Sequence, residues 1–307
     1  MARRWWMVAI AVLVLSGCGH GVISDPIGVP IGDPQNLDRQ RRQAREALAR
    51  YDEALRDAGG RPRFIPIGEG TGQVGDWEQW NGQNKAALGA GRVIVATTLS
   101  SDTPPAGRVA WENGTALSVP VISAQQAWTK IVSAGQNDCP ECVPLEITGA
   151  RLSTARIQTT RGPATVPAWE FTLKDTAVRL TQVAVDGSAT VAVVPPPWDS
   201  NHPPDGLSVE SATTTASGTR LTVDFVGSPG PASEPCGVDY TAETVESDNA
   251  VVVIVVQHPY AGPYGPNQGC AAIGKQRTAT VDLVRPLGER AVLEVRQGLP
   301  VPVTVTG

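Results

Sequence analysis

A β-rich α+β fold in two modules is what this sequence predicts: an N-terminal helix with an antiparallel sheet, then an all-β, sandwich-like module. Three observations carry it. An amphipathic helical stretch begins near Asp33; short β-branched runs punctuated by Gly and Pro fill most of the remainder; and the Pro-dense run Pro195 to Pro204 separates a region mixing helix and strand from one with strand signals alone.

The chain begins with Arg3 and Arg4, an apolar run from Trp5 to Leu15, and Leu15-Ser16-Gly17-Cys18. A charged start, a short apolar core and a small-residue end make a secretory signal; as a helix the core would rise only about 16 Å, half the hydrocarbon thickness of a bilayer. The last four residues resemble a bacterial lipobox. That resemblance implies a signal peptide over residues 1–17, lipidation of Cys18, and a mature protein held at the outer face of the cell membrane. Residues 18–32, Gly- and Pro-punctuated without periodicity, then read as a flexible lipidated tether. Loss of Arg3 and Arg4 with the leader leaves 23 of the 25 basic residues against 30 acidic ones, a net charge of −7, which disfavours nucleic acid and anionic lipid surfaces as partners. Only four of the 25 basic residues are lysine and Ala, Val, Gly and Pro abound, a composition that resembles envelope proteins of high-GC actinobacteria.

The first module is expected over 33–194. Asp33 suits a helix cap and Pro34 the first helical position; Leu37, Ala44, Leu48, Tyr51, Leu55 and Ala58 make a stripe interrupted by Arg41, and Gly59-Gly60 stops it. Asp38–Arg42, Glu46–Arg50 and Asp52–Arg56 have favourable i,i+4 spacing, and so Ala-rich a stripe favours packing on its own chain over a coiled-coil dimer. Arg63–Ile67 reads as a strand, and the Gly-rich stretch Gly68–Gly75 as a flexible turn, since it lacks the Lys and Ser/Thr of a phosphate loop. Arg92–Leu99 is a further strand. Asn113-Gly114 joins strands at Arg108–Glu112 and Thr115–Val121, and Ser123 with Gln126 forms a capping box ahead of a helix ending near Gly135. From Leu145 to Val194 strand follows strand, with a turn at Arg161-Gly162-Pro163 and with Trp169, Phe171 and Leu173 on one face.

Residues 195–206 are a Pro-rich linker by the same logic. In the second module, 207–307, seven strands are expected, at Leu207–Thr215, Arg220–Val226, Val238–Glu246, Ala250–Gln257, Arg277–Val284, Ala291–Arg296 and Val301–Val305, the strand count of an immunoglobulin-like sandwich.

Four cysteines remain beside Cys18, and an even number in an exported chain reads as disulfides. Of the three connectivities, Cys139–Cys142 with Cys236–Cys270 keeps each bond within one module, the larger loop being worth roughly 3–4 kcal/mol. Cys139-Pro140-Glu141-Cys142 also has the form of a redox motif. A reactive thiolate there would need a helix N-terminus, whereas this motif follows a helix C-terminus and precedes a strand. Zinc on the four cysteines is disfavoured because a second Cys-x-x-Cys is missing, so no metal or cofactor is expected.

The three histidines, His20, His202 and His258, lie in tether, linker and strand end, and no Gly-x-Ser-x-Gly elbow accompanies them. The acids Asp76, Glu78 and Glu112 beside Trp77, Trp80 and Trp111 form the best candidate glycan site, with Trp77, Glu78, Trp80 and Trp111 as ligand contacts. The competing expectation is that these tryptophans fill the core, since six remain after signal removal against three phenylalanines.

Cys139-Pro-Glu-Cys142, Thr160-Arg161-Gly162-Pro163, Val166-Pro167-Ala168-Trp169 and Arg285-Pro286-Leu287-Gly288-Glu289-Arg290 resemble stretches of uncharacterised actinobacterial envelope lipoproteins. Together with the anchor, they lead us to expect a non-catalytic binding or structural module of the envelope with a cell-wall glycan or an envelope protein as partner. The alternatives are an acid-pair glycan hydrolase and a thiol-disulfide redox protein using Cys139 and Cys142.

Overall fold

The computed structural model describes residues 34–59, 64–68, 70–77, 82–135, 139–265 and 269–306. Cys18 with its leader and tether, the Asp33 cap, Glu78 and Trp80 lie outside the described residues.

The elements run α1 (Pro34–Asp57), β1 (Pro66–Ile67), β2 (Thr71–Val74), α2 (Gly82–Gly89), β3 (Val93–Val95), β4 (Gly107–Trp111), β5 (Ala116–Val119), α3 (Ala124–Ser133), β6 (Leu145–Thr159), β7 (Gly162–Leu173) and β8 (Arg179–Val183). After the Pro-rich stretch come β9 (Val209–Thr215), β10 (Arg220–Gly227), β11 (Val238–Glu246), β12 (Ala250–Pro259), β13 (Lys275–Asp282), β14 (Ala291–Glu294) and β15 (Val303–Thr306).

A long antiparallel hairpin, β6 with β7, is the spine of the first module and pairs down to Thr159↔Gly162 at its tip. The outer edge of β7 carries β4 near its start and β8 near its end, and that of β6 carries β1 at the tip and a parallel β3 at the base. Because a strand alternates its faces, β7 serves two cores. Trp169, Phe171 and Leu173 pack with Ala127 and Ile131 of α3, while Ala164 and Val166 pack with Val109, Trp111 and Phe64. The capping box of α3 is formed in both directions between Ser123 and Gln126. The β4–β5 hairpin turns through three residues rather than the two that Asn113-Gly114 suggests: Gly114 N–H donates to Trp111, and Gly114 takes φ +85°, the glycine bulge of a three-residue loop.

The second module is a sandwich. A four-stranded sheet β13-β10-β9-β15 faces a three-stranded sheet β11-β12-β14 across a core of Val209, Leu221, Val223, Phe225, Val251 and Val253. β12 is buried on both faces: Val251, Val253 and Val255 point into the sandwich, whereas Ala250, Val252 and Ile254 point out of it. That outward face is covered by Ala44, Ala47, Leu48 and Tyr51 of α1. The helix expected to belong with the first sheet therefore lies on the C-terminal module. The physical reason is the unbroken apolar run of β12, which needs a cover on each side. Gly298 makes the close approach possible, since a Cβ there would stand 2.6 Å from that of Ala47.

Other expectations change for equally local reasons. Arg41, which interrupts the helical stripe, reaches Glu243 on β11 at 2.7 Å, and members of the expected i,i+4 pairs find other partners: Asp38 meets Arg41, Arg50 donates to the Gln297 carbonyl and Asp52 accepts from the Asn249 amide. The stretch read as a flexible turn contains β2, paired with β8. α2 forms where no helix was expected, and Val191, expected in a strand, enters the core beneath α1. The Pro-rich stretch carries no regular structure, yet Asp205 accepts from both Arg39 and, through its carbonyl, Gln43 of α1. All described residues fall in one compact unit.

Candidate ligand cleft at the module seam

The tip of the β6–β7 hairpin meets the loop between β13 and β14. Thr159, fully buried at the end of β6, organises the tip: its Oγ1 accepts from the Trp111 indole N–H at 3.0 Å and from the Arg161 backbone N–H at 3.2 Å, and donates to the Gly162 carbonyl at 2.7 Å. Gly162 at φ +90° lets the chain reverse within two residues. Arg161 is thereby set over the Trp111 ring, its guanidinium carbon 4.7 Å from the centroid, a cation–π distance.

The opposing loop, Arg285–Arg290, is wound around one side chain. Arg290, 5% exposed, donates to the carbonyls of Arg285, Pro286 and Leu287 and, at 2.6 Å, to Glu246 Oε2. Burial opposes charge on Glu246. The hydrogen bonds from Arg290 and from the Val284 backbone N–H, with the charge of Arg290, outweigh it and hold the carboxyl below its ordinary value of 4.5. The loop so fixed presents Glu289, whose Oε2 meets Arg161 Nε at 3.0 Å across the seam.

This ion pair stands between two grooves. One, about 500 Å³, lies toward α1 and is bordered by Tyr51, Leu55, Asn249 and Arg285; burial, reinforced by the charge of Asp52, pushes the Tyr51 hydroxyl far above its usual range and keeps it neutral. The other, about 610 Å³, is bordered by Trp111, Asn113, Pro163, Thr214, Thr304 and Val305. Arg161 and Glu289 line both. Glu112 and Glu289 both line the larger groove, ion-paired with Arg156 and Arg161, whereas His202, held by Asp199, and His258, held by Thr241, line neither groove.

Of the sequence-predicted glycan site, Trp77 and Trp111 are not brought together. Trp111 is 5% exposed in the core above the hairpin tip, and Trp77, like Trp128, packs against a different core. Glu112 is ion-paired with Arg156 and Asp76 is exposed, while Glu78 and Trp80 lie outside the described residues. The physical reason is strand parity: Trp111 sits on the inward face of β4, so it supports Arg161 from beneath instead of offering a ring to solvent. Trp169 is likewise internal, donating to the Ile122 carbonyl at 2.8 Å.

Cys139 and Cys142 are disulfide-bonded, with Cα atoms 5.4 Å apart, between the end of α3 and the start of β6. Cys236 and Cys270 are bonded with Cα atoms 5.5 Å apart and tie the segment before β11 to that before β13. The four sulfurs do not converge: among the described residues Cys139, Glu141 and Cys142 are the only cluster of ligand type, and its sulfurs are bonded to each other.

Sequence reasoning singled out both seam segments, Thr160–Pro163 and Arg285–Arg290, as resemblance motifs but did not join them. The joining contact is one ion pair between residues far apart in the chain, and only the mixed charge of the Arg-Pro-Leu-Gly-Glu-Arg loop hinted at it. Fold and site together define a β-rich protein with two grooves separated by the Arg161–Glu289 ion pair. Compared with protein-family models, with curated proteins and with solved structures, the chain matches none.

Proposed function

We propose that this chain is an extracytoplasmic lipoprotein, anchored to the outer face of the cell membrane through Cys18, and that its folded body is a non-catalytic binding module of the cell envelope working through the seam cleft. The observation that carries the binding reading is the buried support of Arg161: Thr159 and Trp111 below, and the Arg290-wound loop opposite, hold an arginine rigidly at an open groove. A structural hairpin tip needs no such scaffold, whereas recognition by a preorganised side chain does. The anchor reading rests on Arg3, Arg4, the apolar run and Leu15–Cys18. No helix among the described residues is long and apolar enough to cross a membrane. Envelope fractionation with metabolic labelling by an acyl analogue tests the anchor: label and membrane retention are expected, and both are expected to vanish in Cys18→Ala. Label persisting in that variant would refute lipidation at this residue.

A further inference from the structure

Three features narrow what the larger groove recognises. The first is the state of Arg161. Glu289 Oε2 stands 3.0 Å from its Nε, Arg161 lines the groove, and among the described residues its forked Nη1 and Nη2 pair makes no side-chain hydrogen bond. The neighbouring guanidinium groups are committed, Arg156 to Glu112, Arg285 to Asp248 and Arg290 to Glu246. A flat guanidinium backed by an aromatic ring and offering two parallel donors is a receptor for a planar carboxylate. Two carboxylates line the same groove, Glu289, 80% exposed at the rim, and Glu112, paired with Arg156.

The second feature is β15. It pairs in parallel with β9 on one edge, and no described strand pairs with its other edge. Ala212 N–H donates to the Pro302 carbonyl. Because main-chain groups alternate along a strand, Pro302 and Thr304 address β9 while Val303 and Val305 turn their N–H and C=O away from it. The third is composition: the same short strand, with Val305 56% exposed, borders the groove that contains Arg161. An unpaired edge in such a place is a template for a further strand.

We propose that the groove takes an extended acidic segment of a partner protein, which adds to the free edge of β15 through main-chain hydrogen bonds and delivers a side-chain carboxylate to the Nη fork of Arg161. This rests on reading the seam as the ligand cleft and names its ligand class. The test uses the full mature chain from residue 18 with Cys18→Ser, and two labelled peptides, Thr-Val-Thr-Val-Asp-Val and its Asn counterpart. Fluorescence anisotropy gives affinity and nitrogen-edited NMR gives the site. The Asp peptide is expected to bind and to shift the amides of residues 303–306, and a loss of tenfold or more is expected for the Asn peptide, for Arg161→Gln and for Val305→Pro. Proline at position 305 removes an N–H that the β9 ladder does not use, so the fold is retained and the variant reports on the edge alone. Equal binding of the two peptides, or unchanged binding in Val305→Pro, overturns the proposal. If a soluble wall-glycan fragment shifts the groove residues in an Arg161-dependent way while the peptides shift none, the acidic-strand proposal falls and the cleft stands. If neither probe shifts any groove residue, both fall.

Discussion

At the scale of single residues, two buried polar side chains hold the cleft. The Thr159 hydroxyl makes three hydrogen bonds in a site with no access to water. Thr159→Val keeps the shape and removes all three, leaving the Trp111 indole N–H buried without a partner at a cost of about 1–3 kcal/mol. A lowered melting temperature is expected, together with a red-shifted Trp111 fluorescence component as Arg161 loses its backbone tie. The second is Arg290, paired with Glu246 at side-chain exposures of 4% and 13%. Breaking so buried a pair from one side costs about 3–5 kcal/mol. Since the folded-state carboxyl of Glu246 lies below its ordinary value of 4.5, its contribution is fully present above that value and is lost as pH falls through the depressed one. Chemical denaturation between pH 2 and 7 should therefore show Glu246→Gln less stable than the parent at neutral pH and less sensitive to acid.

At the scale of elements, the telling case is α1. Its start at Pro34, its end before Gly59 and the face bearing Ala44, Leu48 and Tyr51 are legible in the sequence, because a first-turn proline, a stopping glycine and a 3.6-residue period are local signals. Its partner is not legible from α1 itself. The signal lies two hundred residues away, in the unbroken apolar run of β12, where alternate residues feed two cores. The seven C-terminal strands are near their expected positions for the same reason that α1 is: β-branched runs between turn residues need no distant information. β2 and α2 are not legible in the sequence, because a strand of Thr, Gly, Gln and Val on a sheet edge, and a helix with little amphipathic pattern, take their structure from neighbours. At the candidate site the parity of Trp111 on β4 decided between platform and core, and that parity depends on pairing with β7. Two predictions belong at this scale. Ala47→Leu, pressed against Gly298, should cost about 1–3 kcal/mol through overpacking. Cys236→Ser should cost roughly 2–4 kcal/mol by freeing the segment that the bond to Cys270 closes, read as a fall in the denaturation midpoint that reductant reproduces in the parent.

At the scale of the whole molecule, a helix from before the first sheet covers the second module, and the tip of the first module's spine meets a loop of the second through Arg161 and Glu289. Those two ties bring together stretches that sequence alone leaves apart, and the open volume between them is where a ligand would act. The anchor proposed at Cys18 would add a constraint: a protein so tethered would meet its ligands at high local concentration, and a modest cleft affinity would then suffice. The proposed site of partner binding is this seam. The most direct measurement is photo-crosslinking in living cells from an unnatural residue at Asn113, in the groove wall, compared with one at exposed Leu152 on the first sheet away from the seam. The account predicts one discrete adduct from position 113 that disappears with Arg161→Gln and is absent from position 152. Adducts of equal yield from both positions, indifferent to Arg161, would contradict it.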